Sequence, residues 1–111
     1  VSERERKRDV LFLGIFTKKK KHIGNIKYEP IDLKRKTSIM GILVGDKDWR
    51  GKGVAAEVIV ASAHYLNSKY GVTTIFLSVN PNHQAAISAY KKIGFKFKEL
   101  DKNNTNMIWQ L

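Results

Sequence analysis

From residue 10 onward, short apolar runs alternate with polar breaks, and the period of each run predicts its conformation. Val10 to Phe16 is apolar, rich in β-formers and too brief for a core helix, so it reads as a strand. His22 to Tyr28 alternates, with Ile26 and Tyr28 on one face and Asn25 and Lys27 on the other, which makes a second strand. Pro30 and Lys34–Lys36 break the chain before a third strand, Ser38 to Val44. Its almost unbroken apolarity predicts burial on both faces. Gly45 to Gly53 is a polar, glycine-rich loop. Val54, Val58, Ala61 and Tyr65 then recur at helical spacing, predicting a helix to about Ser68 that packs on a sheet, with Gly71 ending it. Thr73 to Val79 is a β-branched strand closed by Asn80-Pro81. Gln84 to Ile93 reads as a second helix, with Ala86, Ala89, Tyr90 and Ile93 inward and Gly94 as its stop. Phe95–Leu100 and Met107–Leu111 make a hairpin across a polar turn. The predicted order is βββ-α-β-α-ββ, an α/β (α+β) domain whose mixed sheet carries packed helices.

Composition narrows this picture. The 111 residues suit one domain over 1–111, and 42% hydrophobic with 28% charged residues excludes wholesale disorder. Without cysteine there is no disulfide, no thiolate metal site and no cysteine nucleophile, which fits a cytoplasmic location. No apolar run reaches the roughly 18–20 residues of a membrane span, and no signal-peptide pattern opens the chain. The net charge of +11 asks for an anionic partner. Residues 1–40 hold 12 basic and 5 acidic side chains, with Lys18–Lys21 and Lys34–Lys36 placed as hairpin tips. No aromatic residue interleaves with either run and no helix is strongly basic. That pattern favours a solvated surface over nucleic-acid binding.

The loop Arg50-Gly51-Lys52-Gly53-Val54-Ala55 is the sharpest chemical feature, because it joins an apolar strand to a helix. Glycines let the backbone approach a ligand, and a helix start presents unpaired N–H groups at a positive dipole end. Arg50 and Lys52 add charge, so the loop suits a pyrophosphate. A P-loop spacing is absent. The dinucleotide pattern G-x-G-x-x-G/A matches Gly51 to Ala56, yet no carboxylate follows on the next strand, which ends at Val79-Asn80.

A later segment, Asn80-Pro81-Asn82-His83-Gln84-Ala85-Ala86-Ile87-Ser88-Ala89-Tyr90-Lys91-Lys92-Ile93-Gly94-Phe95, completes a pair of motifs. Together with the R-x-x-G-x-A loop it resembles the GNAT superfamily of N-acetyltransferases from about Val10 to Phe97. The Asp46–Gly53 phrasing, with Ile23-Gly24-Asn25-Ile26 upstream, is most similar to the branch of ribosomal-protein N-terminal acetyltransferases. The resemblance implies acetyl-CoA as acetyl donor, no metal, and direct transfer to a primary amine such as a protein N-terminus or an amino sugar. A non-catalytic basic RNA- or ribosome-binding module, or a CoA-binding fragment without turnover, is the alternative.

Residue by residue, the resemblance implies that Arg50, Gly51, Lys52, Gly53, Val54 and Ala55 hold the CoA pyrophosphate. Val44 and Gly45 would bind the pantetheine arm and polarise the thioester carbonyl through their backbone. Tyr90 would protonate the departing thiolate, a task suited to a phenol. Asn82 and His83 would contact the cofactor, although the Asn that relatives carry seven residues before the tyrosine is here His83. Glu29 is the first choice for general base, and Ser78 would position a water or the acceptor. His22 and His64 read as structural, and Asp46 and Asp48 as loop caps. The family places a first strand and helices before the strand at Val10, so the resemblance implies an N-terminally incomplete domain. Either the chain is a fragment, or a partner subunit, as in a homodimer, supplies the acceptor walls. The positive charge favours an acidic or nucleotide-linked acceptor over a polyamine.

Overall fold

The computed structural model describes residues 10–45, 53–100 and 103–111. Its elements run β1 (Leu11–Phe16), β2 (His22–Asp32), β3 (Thr37–Val44), α1 (Val54–Tyr70), β4 (Thr74–Val79), α2 (Gln84–Ile93), β5 (Lys96–Leu100) and β6 (Thr105–Gln110). The predicted order holds throughout. One six-stranded sheet has the order β1-β2-β3-β4-β6-β5. Neighbours pair antiparallel except β3 and β4, which are parallel because α1 carries the chain back between them.

Both helices pack on one face of the sheet. Tyr28, Ile26, Ile75 and Met107 meet Ile59, Ala63 and Leu66 of α1, Ile87 of α2, and Phe95 in a single core. Tyr28 donates its hydroxyl to Oγ of Ser62 at 2.8 Å, and Ser62 in turn donates to the carbonyl of Val58 at 2.6 Å. This satisfies two polar side chains inside an apolar core.

Several expectations are corrected. β2 does not stop at Tyr28 but runs through Pro30 to Asp32, and a register shift between Tyr28 and Ile31 absorbs the proline, which has no N–H to donate. β3 is covered on one face only: Ser38 and Met40 are buried, whereas Ile39 is 49% and Leu43 61% exposed. The buried stripe of α1 is Ile59, Ser62, Ala63 and Leu66, not Val54, Val58, Ala61 and Tyr65. A helix that is apolar on most sides cannot declare its inner face by periodicity. In α2, Ala89 is exposed and Ile87 is the fully inward residue. β6 begins at Thr105 rather than Met107, since buried Thr105 faces Val79.

Candidate active site

The parallel ladder between β3 and β4 is short. It joins Thr37 to Thr74, Ser38 to Ile75 and Ile39 to Phe76, and no pairing follows. β3 nevertheless stays paired to β2 as far as Val44, and β4 to β6 as far as Val79. The two strands therefore separate while each is held from its outer side. Their inner edges face a gap with unmatched backbone groups, which suits an extended ligand bearing amides.

Within β3 the backbone alternates. Gly45 donates its N–H to the carbonyl of Ile23 at 2.9 Å, so that group is already engaged with β2. Alternation turns the backbone of Val44 towards the gap instead. Of the two, Val44 is the residue whose N–H can reach a ligand there.

Helix α1 starts beyond the end of β3, and α2 starts beyond the end of β4. Ligands bind at the carboxyl ends of parallel strands for this reason: both helix starts point their free N–H groups there. Gly53 caps α1 with φ 79° and ψ 4°, contributes no side chain, and accepts the N–H of Glu57 through its carbonyl at 3.1 Å. The N–H groups at Val54 and Ala55 in the first turn are left for an anion. Arg50, Gly51 and Lys52, and also Asp46 and Asp48, lie outside the described residues. At α2, Asn80 accepts the backbone N–H of Asn82 through its side-chain oxygen at 2.9 Å, and its carbonyl accepts the N–H of His83. That turn leaves the side chains of Asn82 and His83 exposed at the same end of the molecule.

Tyr90 is half-buried on α2, edge-on to Phe95 at 5.8 Å between ring centroids. Burial raises its pKa above the usual phenol value, so it is a protonated acid at neutral pH. Its hydroxyl has no hydrogen-bond partner among the described residues. Ser78 stands two residues beyond Phe76, the last β4 residue paired to β3, is exposed, and donates to Oδ1 of Asn106 at 2.6 Å. The two side a cleft of about 200 Å³ together with Ile39, Phe76 and Lys98. Glu29 is not at a strand end: it is exposed, 3.4 Å from Nζ of Lys27, and level with the start of the gap rather than its mouth. His22 stacks on Phe16 and bonds Asn25 at 2.9 Å, whereas His64 is exposed on α1. Among the described residues no three His, Asp or Glu side chains gather as a metal site requires, and no helix is long and apolar enough to cross a membrane.

Two features escaped the sequence reading. Asn106, consigned to a turn by its polarity, is the partner of Ser78. A cavity of about 490 Å³ brings Lys18 and Lys19 of the β1–β2 tip beside Val54 and Glu57 in the first turn of α1. No local pattern announces a contact between residues so far apart in the chain.

A paired sheet that opens beside a glycine-capped helix start is the geometry the motif pair leads one to expect. The family described as the acetyltransferase (GNAT) domain matches residues 1–96. The chain belongs to this family. A probable spermine N(1)-acetyltransferase of Bacillus subtilis subsp. natto (strain BEST195) is 34% identical over 64 residues, covering 57% of this chain and 42% of that protein. An N-alpha-acetyltransferase of Saccharolobus solfataricus is 35% identical over 73 residues, covering 66% and 42%. The chain thus spans less than half the length of these curated relatives. Among solved structures, a variant of the spermidine N-acetyltransferase SpeG of Vibrio cholerae superposes with a TM-score of 0.86 at 16% identity, over 98% of this chain and 70% of that one. The PaiA N-acetyltransferase of Thermoplasma acidophilum in complex with coenzyme A gives 0.84 at 21% identity, over 99% and 66%. At these identities the superpositions establish a shared fold.

Proposed function

We propose that this GNAT domain carries out, in its whole protein, direct transfer of an acetyl group from acetyl-CoA to a primary amine. The observation that carries the reading is the divergence of β3 and β4 after Ile39 and Phe76, beside the start of α1 at Gly53. The residues present fit the donor. Free N–H groups at Gly53–Ala55 suit a pyrophosphate, with Arg50 and Lys52 adjoining in sequence, and the inner edge of β3 at Val44 suits the two amides of a pantetheine arm.

The amine nitrogen attacks the thioester carbonyl carbon, the C–N bond forms, and the C–S bond breaks. Val44's N–H stabilises the oxyanion that develops between these events. Tyr90 delivers its proton to the departing sulfur, and its raised pKa keeps that proton in place until the thiolate forms. The proton lost by the ammonium passes to water beside the Ser78–Asn106 pair, with Glu29, exposed on β2, as the candidate carboxylate to receive it.

The relatives are named for spermine, for spermidine and for N-alpha acetylation, that is, for amine acceptors. The charge of +11 disfavours a free polycation, so the reading prefers an N-terminal or otherwise less cationic amine. Thiol release measured on the whole protein with acetyl-CoA, against spermidine, amino sugars and peptides with acidic second residues, tests both levels. Release with none of these amines, and no thermal shift with acetyl-CoA, overturns the enzymatic reading.

A further inference from the structure

Ser78 of β4 and Asn106 of β6 stand directly opposite each other in an antiparallel pair. Their neighbours Leu77, Val79, Thr105 and Met107 are buried, so alternation puts both side chains on the face of the sheet away from the helices. Continuing the register of the β3–β4 ladder places Gly41 level with Ser78 on the far side of the gap. Gly41 is exposed, and among the described residues nothing lies within 4 Å of a Cβ built there. The Ser78 hydroxyl therefore borders open space where the two strands part.

A hydroxyl has one proton to donate and two lone pairs with which to accept. Ser78 commits its proton to Oδ1 of Asn106 at 2.6 Å. What remains on Oγ is acceptor capacity. The charged groups lining the same cleft are engaged elsewhere: Nζ of Lys98 lies 5.4 Å from the centroid of the Phe76 ring and 3.8 Å from the Glu99 carboxylate. Ser78 and Asn106 are the uncharged polar side chains of that cleft among the described residues.

An attacking amine needs its nitrogen lone pair free and aimed at the carbonyl carbon. A hydroxyl that rotates freely beside it donates to that lone pair and masks it. A hydroxyl whose proton is already committed accepts an N–H instead, which orients the nitrogen and leaves the lone pair available. We infer, on the transferase reading above, that Asn106 is a positioning residue for the transfer. It holds the Ser78 proton towards β6, so that Oγ of Ser78 receives an N–H of the acceptor amine in the space opposite Gly41. Asn106 forms and breaks no bond with the substrate and acts through Ser78. A polar pair that only joined two strands would contribute to Tm and not to rate.

Steady-state thiol release by the whole protein tests this role. The acceptor is whichever of spermidine, glucosamine and an alanyl-glutamyl peptide the wild type acetylates fastest. Asn106→Leu should lower kcat/KM for the amine about tenfold and leave KM for acetyl-CoA unchanged. Asn106→Ala gives the same reading should the leucine variant not fold. Asn106→Asp keeps an oxygen at the accepting position and should recover most of the rate. Ser78→Ala should lose about as much as Asn106→Leu, and Ser78→Ala/Asn106→Leu no more than either alone, because one side chain acts through the other. Losses that multiply in the double variant, an Asn106→Asp variant as slow as Asn106→Leu, or a parallel rise in KM for acetyl-CoA would each overturn the role. Thiol release by the wild type with an unaffected Asn106→Leu overturns the role alone, whereas no release by the wild type with any of the three amines overturns the transferase reading with it.

Discussion

Ile39 of β3 and Phe76 of β4 form the last rung of the parallel ladder, and the strands part beyond them. In register, the next residues on the same face would be Gly41 and Ser78. Cysteines bridge only when their Cα atoms lie within about 7 Å. The chain has no native cysteine, so a designed pair reports cleanly. An Ile39→Cys/Phe76→Cys variant should form a disulfide under mild oxidation, and Gly41→Cys/Ser78→Cys should keep two free thiols. Among the described residues nothing lies within 4 Å of a Cβ built at Gly41, so that site accepts the substitution. Thiol counting by mass spectrometry decides, and rapid cross-linking of the second pair would mean that the gap closes in solution.

Tyr90→Phe separates chemistry from folding. The hydroxyl has no partner among the described residues, so its removal should shift Tm little. If the phenol protonates the leaving thiolate, kcat should fall about 10²-fold or more while KM for acetyl-CoA changes little. Because burial raises the pKa of Tyr90, the wild-type rate should hold up to pH values above the ordinary phenol value before an alkaline limb appears. Steady-state rates across pH under chemistry-limited conditions check this. Full kcat in the variant would remove Tyr90 from the mechanism.

Much of this layout was legible in the sequence, for reasons particular to each element. α2 spans Gln84–Ile93 as read, since Pro81 before it and Gly94 after it are unambiguous local signals. β2 beyond Tyr28 was not legible, because Pro30 marks a break in most contexts and only the bulge reconciles it with a strand. Apolarity told of strand β3 but not of its single covered face, since an exposed Leu43 reads like a buried one. The gap was expected only through the family resemblance. Separation of β3 from β4 is a lost pairing, and the residues of both strands look ordinary because their outer partners persist. The motif residues Asn82, His83 and Gly53 stood out by spacing, whereas the pairings of Asn106 with Ser78 and of the Lys36 carbonyl with Thr73 depend on contacts between distant segments.

The two glycines that bound α1 make a matched pair. Gly53 has φ 79° and Gly71 φ 73°, and neither has an atom of the described residues within 4 Å of a built Cβ. An alanine at either position meets the left-handed backbone penalty without a clash, about 1 kcal/mol each. Gly53→Ala and Gly71→Ala should therefore lower Tm by similar amounts. Only the first lies at the candidate pyrophosphate site, so it alone should raise Kd for acetyl-CoA, measurably by calorimetry. An equal rise from Gly71→Ala would show that the loss comes through stability and not through the helix start.

Tyr28 gives the core a pH dependence of known sign. Burial raises its pKa, more than the hydrogen bond to Ser62 lowers it, because a phenolate loses more from desolvation than the neutral phenol. The unfolded chain ionises this tyrosine near the usual value of about 10, before the folded chain does. Stability from the neutral phenol is thus complete below that value and is lost as pH rises through the higher folded pKa. In Tyr28→Phe the hydroxyl is gone, so neutral-pH stability should drop by about 1 kcal/mol, the net worth of one buried hydrogen bond. Ser62 stays satisfied through the Val58 carbonyl, so no orphaned donor adds to that loss. The fall in Tm between about pH 9 and about pH 11 should then be shallower than in wild type, with Tyr90, whose pKa burial also raises, contributing to what remains. Thermal unfolding followed by circular dichroism across that interval measures the difference. Parallel curves for the two proteins would show that the Tyr28 phenol is as easily ionised in the fold as outside it.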